Sequence, residues 1–543
     1  MTGAGALLAA SLALPFAMLT ACLSPYLRAR MPALLAIAPV PALLAALLAP
    51  SGVLVLFPGP LRLTLALDVP GAILLGVAAL LWVTAGLYAS AYLRGDANAG
   101  RFAAWWLLTL TGSLGAFMAA DLVSFYLVFA MVSLAAYGLV VHDGTPRARR
   151  AGAIYVSLAV LGEALLLMGF VLLAAAIPGN SLLIRDAVAA LPASPWHYST
   201  LLLLILGFGL KLGLVPLHVW MPVAHPAAPI PASAVLSGVV VKAGVIGLIR
   251  FLPFETALPD WGGALAAAGM FTAFYAVGVG ITQTNPKTVL AYSTVSQMGV
   301  IAAVLGMGLA AGNAGAVLAA SVYAAHHILV KGALFLAVGV VAATGARRLW
   351  PVLLPASVLA LSLGGLPLTG GALAKLAVKA PLGDGVVGQL AMVSAAGTTL
   401  LMLHFLGRLV PTAAPDALRS ASARLALPWL ATALAAVAVP WALYLTIGSG
   451  TLSEALAPAE LWTALWPVLV GGVLAVGLRR WGDNLPRIPE GDVVVVAYDA
   501  VGIARASGDA MERLDVLLRQ WPVAGLTLLA LAILMGAVML AGG

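Results

Sequence analysis

Five charged side chains lie within long apolar runs, where each costs about 2.5 to 3.5 kcal/mol to insert at a bilayer centre. Glu163 sits in "LAVLGEALLLMGF", Lys211 in "GFGLKLGLVPLHVWMPVAHPAAPIP" (207–231), Lys242 in "SGVVVKAGVIGLIR", Lys331 in "HHILVKGALFL" and Lys375 in "GGALAKLAVK". Summed, they imply on the order of 10 to 15 kcal/mol of insertion cost, comparable to the stability of a whole domain. They must pair with one another or face water inside the protein. Desolvation weakens a lysine's hold on its proton and a nearby acid strengthens it, so a line of such lysines can pass protons. Lys379, near a helix end, reads instead as a snorkelling or structural ion.

Tyr323, His327 and Lys331 are spaced by four, which aims a hydroxyl, an imidazole and an amine along one helix face. His327 is therefore a candidate relay, and His326, facing elsewhere, a packing or hydrogen-bonded residue. His218 and His225 lie seven residues apart among Pro216, Pro222, Pro226, Pro229 and Pro231, with no nearby Cys, Asp or Glu to complete a ligand set, so no metal site is expected. Trp220 beside them suggests an interfacial loop. The prolines break the helix, and freed carbonyls can line a cavity where hydration and helix-end dipoles tune Lys211. His218, Tyr323 and His404, the last in the run at 386–411, are secondary candidates for the path.

The elements that must hold these groups follow from composition. Of 543 residues, 63% are hydrophobic and 8% charged, and the mean hydropathy is +1.09, far outside the soluble range. Continuous apolar runs exclude a β-barrel, and the expectation is an all-α polytopic membrane protein with about 14 to 16 transmembrane helices. The net charge of +8 sits in short loops, not in a patch fitted to nucleic acid. Arg28 and Arg30, Arg94 and Arg101, Arg147, Arg149 and Arg150, Arg347 and Arg348, and Arg419 and Arg424 all follow odd-numbered spans. The positive-inside rule then puts the N-terminus outside, in a bacterial-type inner membrane. The apolar start lacks a basic leader and reads as a retained first span, although "LTAC" resembles a lipoprotein processing box. Cys22 is the only cysteine, so there is no internal disulfide, and this chain's own thiolates hold no iron-sulfur cluster.

Residues 1–100 form N-terminal spans with a short external hairpin near 53–69, where Leu61, Leu63, Leu65 and Leu67 alternate with Arg62, Thr64, Ala66 and Asp68. Five spans follow over 101–252, the fourth interrupted by proline, and five more over 262–411, the fourth interrupted at "LSLGGLPLTGGALAKLAVKAP". Two five-helix repeats, each with a broken helix, are a transporter signature, and the odd number makes them inverted. Further spans are expected over 424–478, an amphipathic cytoplasmic segment over 479–520 and a last span over 521–543.

"KLGLVPLHVWMPVAHPAAPIPASAVLSGVVVKAG", "NPKTVLAYSTVSQMGVI" and "YAAHHILVKGALFL" resemble the signature stretches of the antiporter-like membrane subunits of respiratory complex I. The same subunit type occurs in Mrp cation/proton antiporters, membrane-bound hydrogenases and inorganic-carbon uptake systems. The resemblance covers about residues 60 to 411. It implies a fourteen-helix core with two inverted five-helix repeats, each holding a half-channel, joined by a central charged row. By it Lys211 matches the lysine of the first broken helix, Lys242 that of the next helix, Lys287 that opening "KTVLAYSTVSQ", His327 and Lys331 the "HxxxK" pair, and Lys375 the lysine after the second break. A family glutamate that normally pairs with the Lys211 position is replaced here by Ala130, and Glu163, one helix later, is the expected substitute.

The first reading is a proton-translocating subunit of a larger complex of NADH:quinone oxidoreductase or hydrogenase type, with other membrane subunits as partners, no cofactor of its own and no nucleotide motif. The alternatives are an Mrp-type antiporter subunit exchanging Na⁺ for H⁺, the proton-driven energising subunit of a carbon-uptake complex, and a scaffold bundle that conducts nothing.

Overall fold

The computed structural model describes residues 3–493 except 50, 57–62, 178–180 and 448–449, together with residue 495 and positions 525, 528, 533 and 535. The expected last span and most of the amphipathic segment therefore lie outside the described residues. What is described is helical, with one small hairpin.

Helix α1 (Gly3–Ala21) opens the bundle. The apolar stretch after it does not cross as one helix, because Pro32, Pro39 and Pro41 divide it into α2 (Pro25–Arg30), turns and the nine-residue α3 (Val40–Leu48). The hairpin expected near 53–69 is present: β1 (Val53–Leu56) pairs antiparallel with β2 (Leu63–Ala66), Val53 opposite Ala66. Asp121 anchors it to the bundle, since its carboxylate accepts from Thr64 N–H at 2.5 Å and from Ser124 N–H at 2.7 Å. The second contact caps the helix that begins at Leu122.

Helix α4 (Val69–Tyr92) leads into the first five-span set. That set comprises α5 (Ala99–Met118), α6 (Leu122–Val140), α7 (Pro146–Ala176), the short α8 (Ile184–Ala190), and a broken span of α9 (His197–Leu212) and α10 (Trp220–Ala227). Its last member is α11 (Ile230–Val235) joined to α12 (Lys242–Phe251) through a π turn at Leu236–Val240. The second set comprises α13 (Pro259–Gly280), α14 (Pro286–Ala311), α15 (Gly315–Ala342), a broken span of α16 (Trp350–Gly364) and α17 (Gly370–Leu382), and α18 (Val386–Leu409). Beyond it lie α19 (Ala423–Thr446), the single turn α20 (Leu452–Ala455) and α21 (Pro458–Trp481). Among the described residues twelve stretches are long and apolar enough to cross a membrane. The less apolar α5 and the broken α16–α17 complete the two sets.

The two most enclosed spans, Ile230–Phe251 and Gly315–Ala342, are buried throughout their apolar windows, and they carry Lys242, His327 and Lys331. Close packing of α13 on α14 holds the opposite wall. A Cβ on Gly269 would lie 2.5 Å from the Gly299 carbonyl oxygen and one on Gly299 2.5 Å from that of Gly269, with the same reciprocity between Gly262 and Gly306 one heptad away. Only glycine lets the backbones meet this closely. Gly299→Leu should therefore force α13 and α14 apart at a cost of about 1 to 3 kcal/mol, read as a lowered unfolding midpoint of the detergent-purified protein. An unchanged midpoint would show that the interface is not rigid.

Candidate functional site: a buried row of cations

The two breaks are built alike. In each, the first half-helix in chain order ends in a glycine with left-handed backbone, Gly213 at φ +79° and Gly365 at φ +98°, as helix C-caps commonly do. Pro216 follows the first break, whereas Pro222 and Pro226 lie within α10 and Pro229 and Pro231 begin α11. Pro216, together with Gly213, marks the interruption, and the remaining prolines do not. Lys211 stands in the last turn of α9, where the negative end of the helix dipole favours a cation. Lys375 reaches across the second break, its ammonium donating to the Gly364 carbonyl at 2.7 Å.

The first compartment surrounds Lys211. Its Nζ donates to Ser133 Oγ at 2.9 Å and to Tyr155 OH at 3.5 Å, and Tyr155 OH donates to the Ser133 carbonyl at 2.7 Å. The ammonium also lies 5.7 Å from the Phe129 ring centre, a cation–π distance. Glu163, only 2% exposed, has no hydrogen-bond partner at either carboxylate oxygen. It shares this compartment with Lys211 without forming a salt bridge to it, so the expected pairing is electrostatic across Ser133 and Tyr155 and not by contact. The lysine's partner on α6 is thus Ser133, one turn beyond Ala130.

A second compartment is a cluster of buried polar groups between Lys242 and Lys331. The π turn frees the Ser237 carbonyl, which accepts from Lys242 Nζ at 3.0 Å, and the same ammonium is 2.5 Å from His327 Nδ1. Two full charges this close would repel strongly, so the pair does not carry both. Ser237 Oγ bonds Thr294 Oγ1 at 2.7 Å, Thr294 donates to the Leu290 carbonyl at 3.0 Å, and Lys331 Nζ donates to that carbonyl at 2.9 Å. Lys242 and Lys331 thus share a polar cluster made of the Ser237 carbonyl and hydroxyl, Thr294 and the Leu290 carbonyl.

The row continues into a cavity of about 360 Å³ lined by Gln297, Tyr323, Lys375, Thr398, Asp384 and others. Tyr323 OH donates to Gln297 Oε1 at 2.7 Å, and Gln297 Nε2 donates to Thr398 Oγ1 at 3.0 Å. His326 faces away from this track, bonded to Ser362 Oγ at 2.9 Å. Lys379 pairs with Glu460 at 2.7 Å on a half-exposed surface, as a structural ion does. Lys287 donates to the Ala228 carbonyl, and His404 Nε2 bonds the Gln283 carbonyl at 2.8 Å.

His218 and His225 are buried and do not lie at an interface. Trp220 is 1% exposed, with its indole N–H on the Leu210 carbonyl at 3.0 Å, so the break folds inward instead of forming a surface loop. His225 is fully buried with no partner at either ring nitrogen. His218 does have an acid beside it: Asp492 Oδ2 lies 3.0 Å from its Nε2. Among the described residues no group of three or more His, Cys, Asp and Glu could hold a metal. Sequence reasoning missed Ser133, Ser237, Thr294, Gln297 and Asp492. The first four had a signal, polar side chains within apolar helices, while Asp492 had none.

The family profile described as NADH:quinone oxidoreductase/Mrp antiporter, TM, matches residues 119–400, 282 of 543. The chain belongs to this family. It is 33% identical over 293 residues to hydrogenase-4 component B of Escherichia coli, covering 51% of this chain and 43% of that protein. It is 34% identical over 305 residues to NADH-quinone oxidoreductase subunit N of Desulforudis audaxviator, covering 54% and 59%. Each match therefore spans less than two thirds of the relative. The fold resembles a chain of the Mrp complex from Dietzia sp., with a TM-score of 0.74 at 23% identity over 99% of this chain and 63% of that one.

The two buried histidines make opposite predictions. His225→Phe removes two ring nitrogens that have no hydrogen-bond partner and should leave the unfolding midpoint unchanged or higher. His327→Phe strips Lys242 of its partner and should destabilise by about 1 to 3 kcal/mol. Equal losses for both would mean that His225 has a partner, such as bound water.

Proposed function

We propose that the chain is a proton-translocating subunit of a multisubunit membrane complex of NADH:quinone oxidoreductase or hydrogenase type. The driving redox reaction is performed by other subunits, and the protons move along Glu163, Lys211, Lys242, Lys287, His327, Lys331 and Lys375. His218, Tyr323 and His404 serve at the margins of this row, and the chain needs no cofactor of its own. The observation that carries this reading is the buried polar cluster that holds Lys242, His327, Ser237, Thr294 and Lys331. A scaffold gains nothing from several enclosed ammonium groups, each of which costs insertion energy.

In this reading the protein spans a bacterial-type inner membrane with its N-terminus outside, and its two five-span sets are inverted relative to one another. The arginine-bearing loops support the orientation, and the paired helix breaks support the repeat. A proton gained at one lysine raises the cost of holding a proton on the next, so occupancy shifts along the row instead of accumulating. Lysine and histidine suit this role because their proton affinities respond strongly to burial and neighbours.

In energised membrane vesicles containing the complex, Glu163→Gln and Lys331→Met should each reduce proton uptake by at least about tenfold, while Ala130→Glu should be tolerated. A Glu163→Gln protein with full proton flux would remove Glu163 from the path. Full flux in Lys331→Met would refute the row itself.

A further inference from the structure

The segment that follows α21 folds back under the bundle. Residues 485–493 form a strap across the membrane face where α7 and α14 begin. Gln283 Nε2 donates to the Ile488 carbonyl at 2.9 Å, Thr288 Oγ1 donates to Glu490 Oε1 at 2.8 Å, and Arg147 pairs with Glu490 Oε2 at 2.6 Å. Gly491 and Asp492 both take positive φ, +86° and +24°. Such a conformation is uncommon for a residue other than glycine, and it costs free energy unless its surroundings enforce it.

What it achieves is the placement of one carboxylate. Asp492, 4% exposed, brings Oδ2 to 3.0 Å from His218 Nε2, and the same oxygen accepts from Tyr275 OH at 2.9 Å and Tyr292 OH at 3.2 Å. Burial alone would push the Asp492 carboxyl up, but the hydrogen bond and charge of His218, the Val493 N–H and the Tyr275 hydroxyl outweigh it and hold the group below its usual value. It is therefore ionised at neutral pH and only accepts hydrogen bonds, so Nε2 of His218 carries its proton. The other ring nitrogen, Nδ1, is buried with no partner. In the neutral ring that nitrogen is a bare lone pair, in a helix break that begins five residues before it.

We infer that His218 is a proton-loading residue of the membrane path and that Asp492, brought in from far along the chain, is the positioning residue that makes it one. The inference rests on the proton-translocating reading above. A proton from the aqueous face of the strap forms an N–H bond at Nδ1, and the imidazolium is balanced by the carboxylate on its other side. The same bond breaks when the proton is passed on, and Asp492 stays ionised throughout. The titratable groups that meet the carboxylate are His218 from the break, Tyr275 from α13 and Tyr292 from α14, with Glu490 on the strap itself.

The test is proton uptake by vesicles containing the intact complex, followed from about pH 5 to 9. Asp492→Asn keeps the shape but removes the charge. It should lower flux at least about tenfold at neutral pH and move the histidine limb of the pH profile down by about one pH unit or more. Asp492→Glu should recover flux, and Asp260→Asn, which removes an exposed carboxylate in the first turn of α13, should leave the limb where it is. Unaltered flux and limb in Asp492→Asn, with Lys331→Met inactive, would overturn the dyad while leaving the proton path standing. Raised flux would overturn it too, making the strap a plug. If Lys331→Met remains fully active, the broader reading fails and the dyad with it. Should Asp492→Asn not assemble, Tyr275→Phe decides: losing one donor strengthens the carboxylate's hold on His218 and should move the limb to higher pH, and an unmoved limb refutes the inference.

Discussion

A lysine ammonium has three hydrogens to place, and in a bundle closed to lipid each needs an oxygen. A regular helix has few to offer, because its carbonyls already accept from its own N–H groups. The architecture is arranged around that shortage. Lys375 takes the carbonyl of Gly364 at the second break, Lys242 that of Ser237 in the π turn, and Lys287 that of Ala228 at the junction of α10 and α11. Lys211 sits at the first break and takes hydroxyls. Lys331 lies in an uninterrupted helix and shares the Leu290 carbonyl with Thr294. Most of the lysines are thus found where a helix is irregular, and the irregularity is what makes them tolerable.

The sign of the charge matters as much as its solvation. Among the described residues, the spans hold Lys211, Lys242 and Lys331 fully enclosed against one enclosed carboxylate, Glu163. Two positive charges 4 Å apart repel by about 4 kcal/mol at an effective dielectric of 20, so the row is not charged at every position at once. The Lys242–His327 contact expresses this limit within one hydrogen bond. Glu163 and Asp492 stand near Lys211 and His218, the two basic residues that flank the first break, and each sets a negative charge against a basic side chain.

Much of this was legible in the sequence because it is local. The charged residues stand out against their apolar runs, Gly and Pro mark the breaks at 213–216, and the four-residue spacing of Tyr323, His327 and Lys331 places them on one face of α15. The family's motifs add Lys287, which spacing alone would not select. Other features depend on tertiary packing. Ala130 drew attention as the missing acid, yet the α6 side chain that meets Lys211 is Ser133, and a serine among apolar residues reads as ordinary helix packing. Trp220 suggested a membrane interface, but its indole is satisfied by a carbonyl within the break. The Asp492 partner of His218 is 274 positions away, beyond any periodicity.

That long-range contact also bears on how the two five-span sets act together. The strap touches Arg147 at the start of α7 in the first set and Thr288 at the start of α14 in the second, while its carboxylate is shared between the first break and the tyrosines of α13 and α14. Hydrogen bonds thus join the two sets both in the buried interior, through Ser237 and Thr294, and at the membrane face, through Glu490 and Asp492. A shift of α14 relative to the first break would stretch both sets of contacts, because the helix carrying Thr294 also carries Thr288 and Tyr292. Under the proposed function, movement of this one helix would link proton loading at the face to proton transfer along the row, with no separate signal between them.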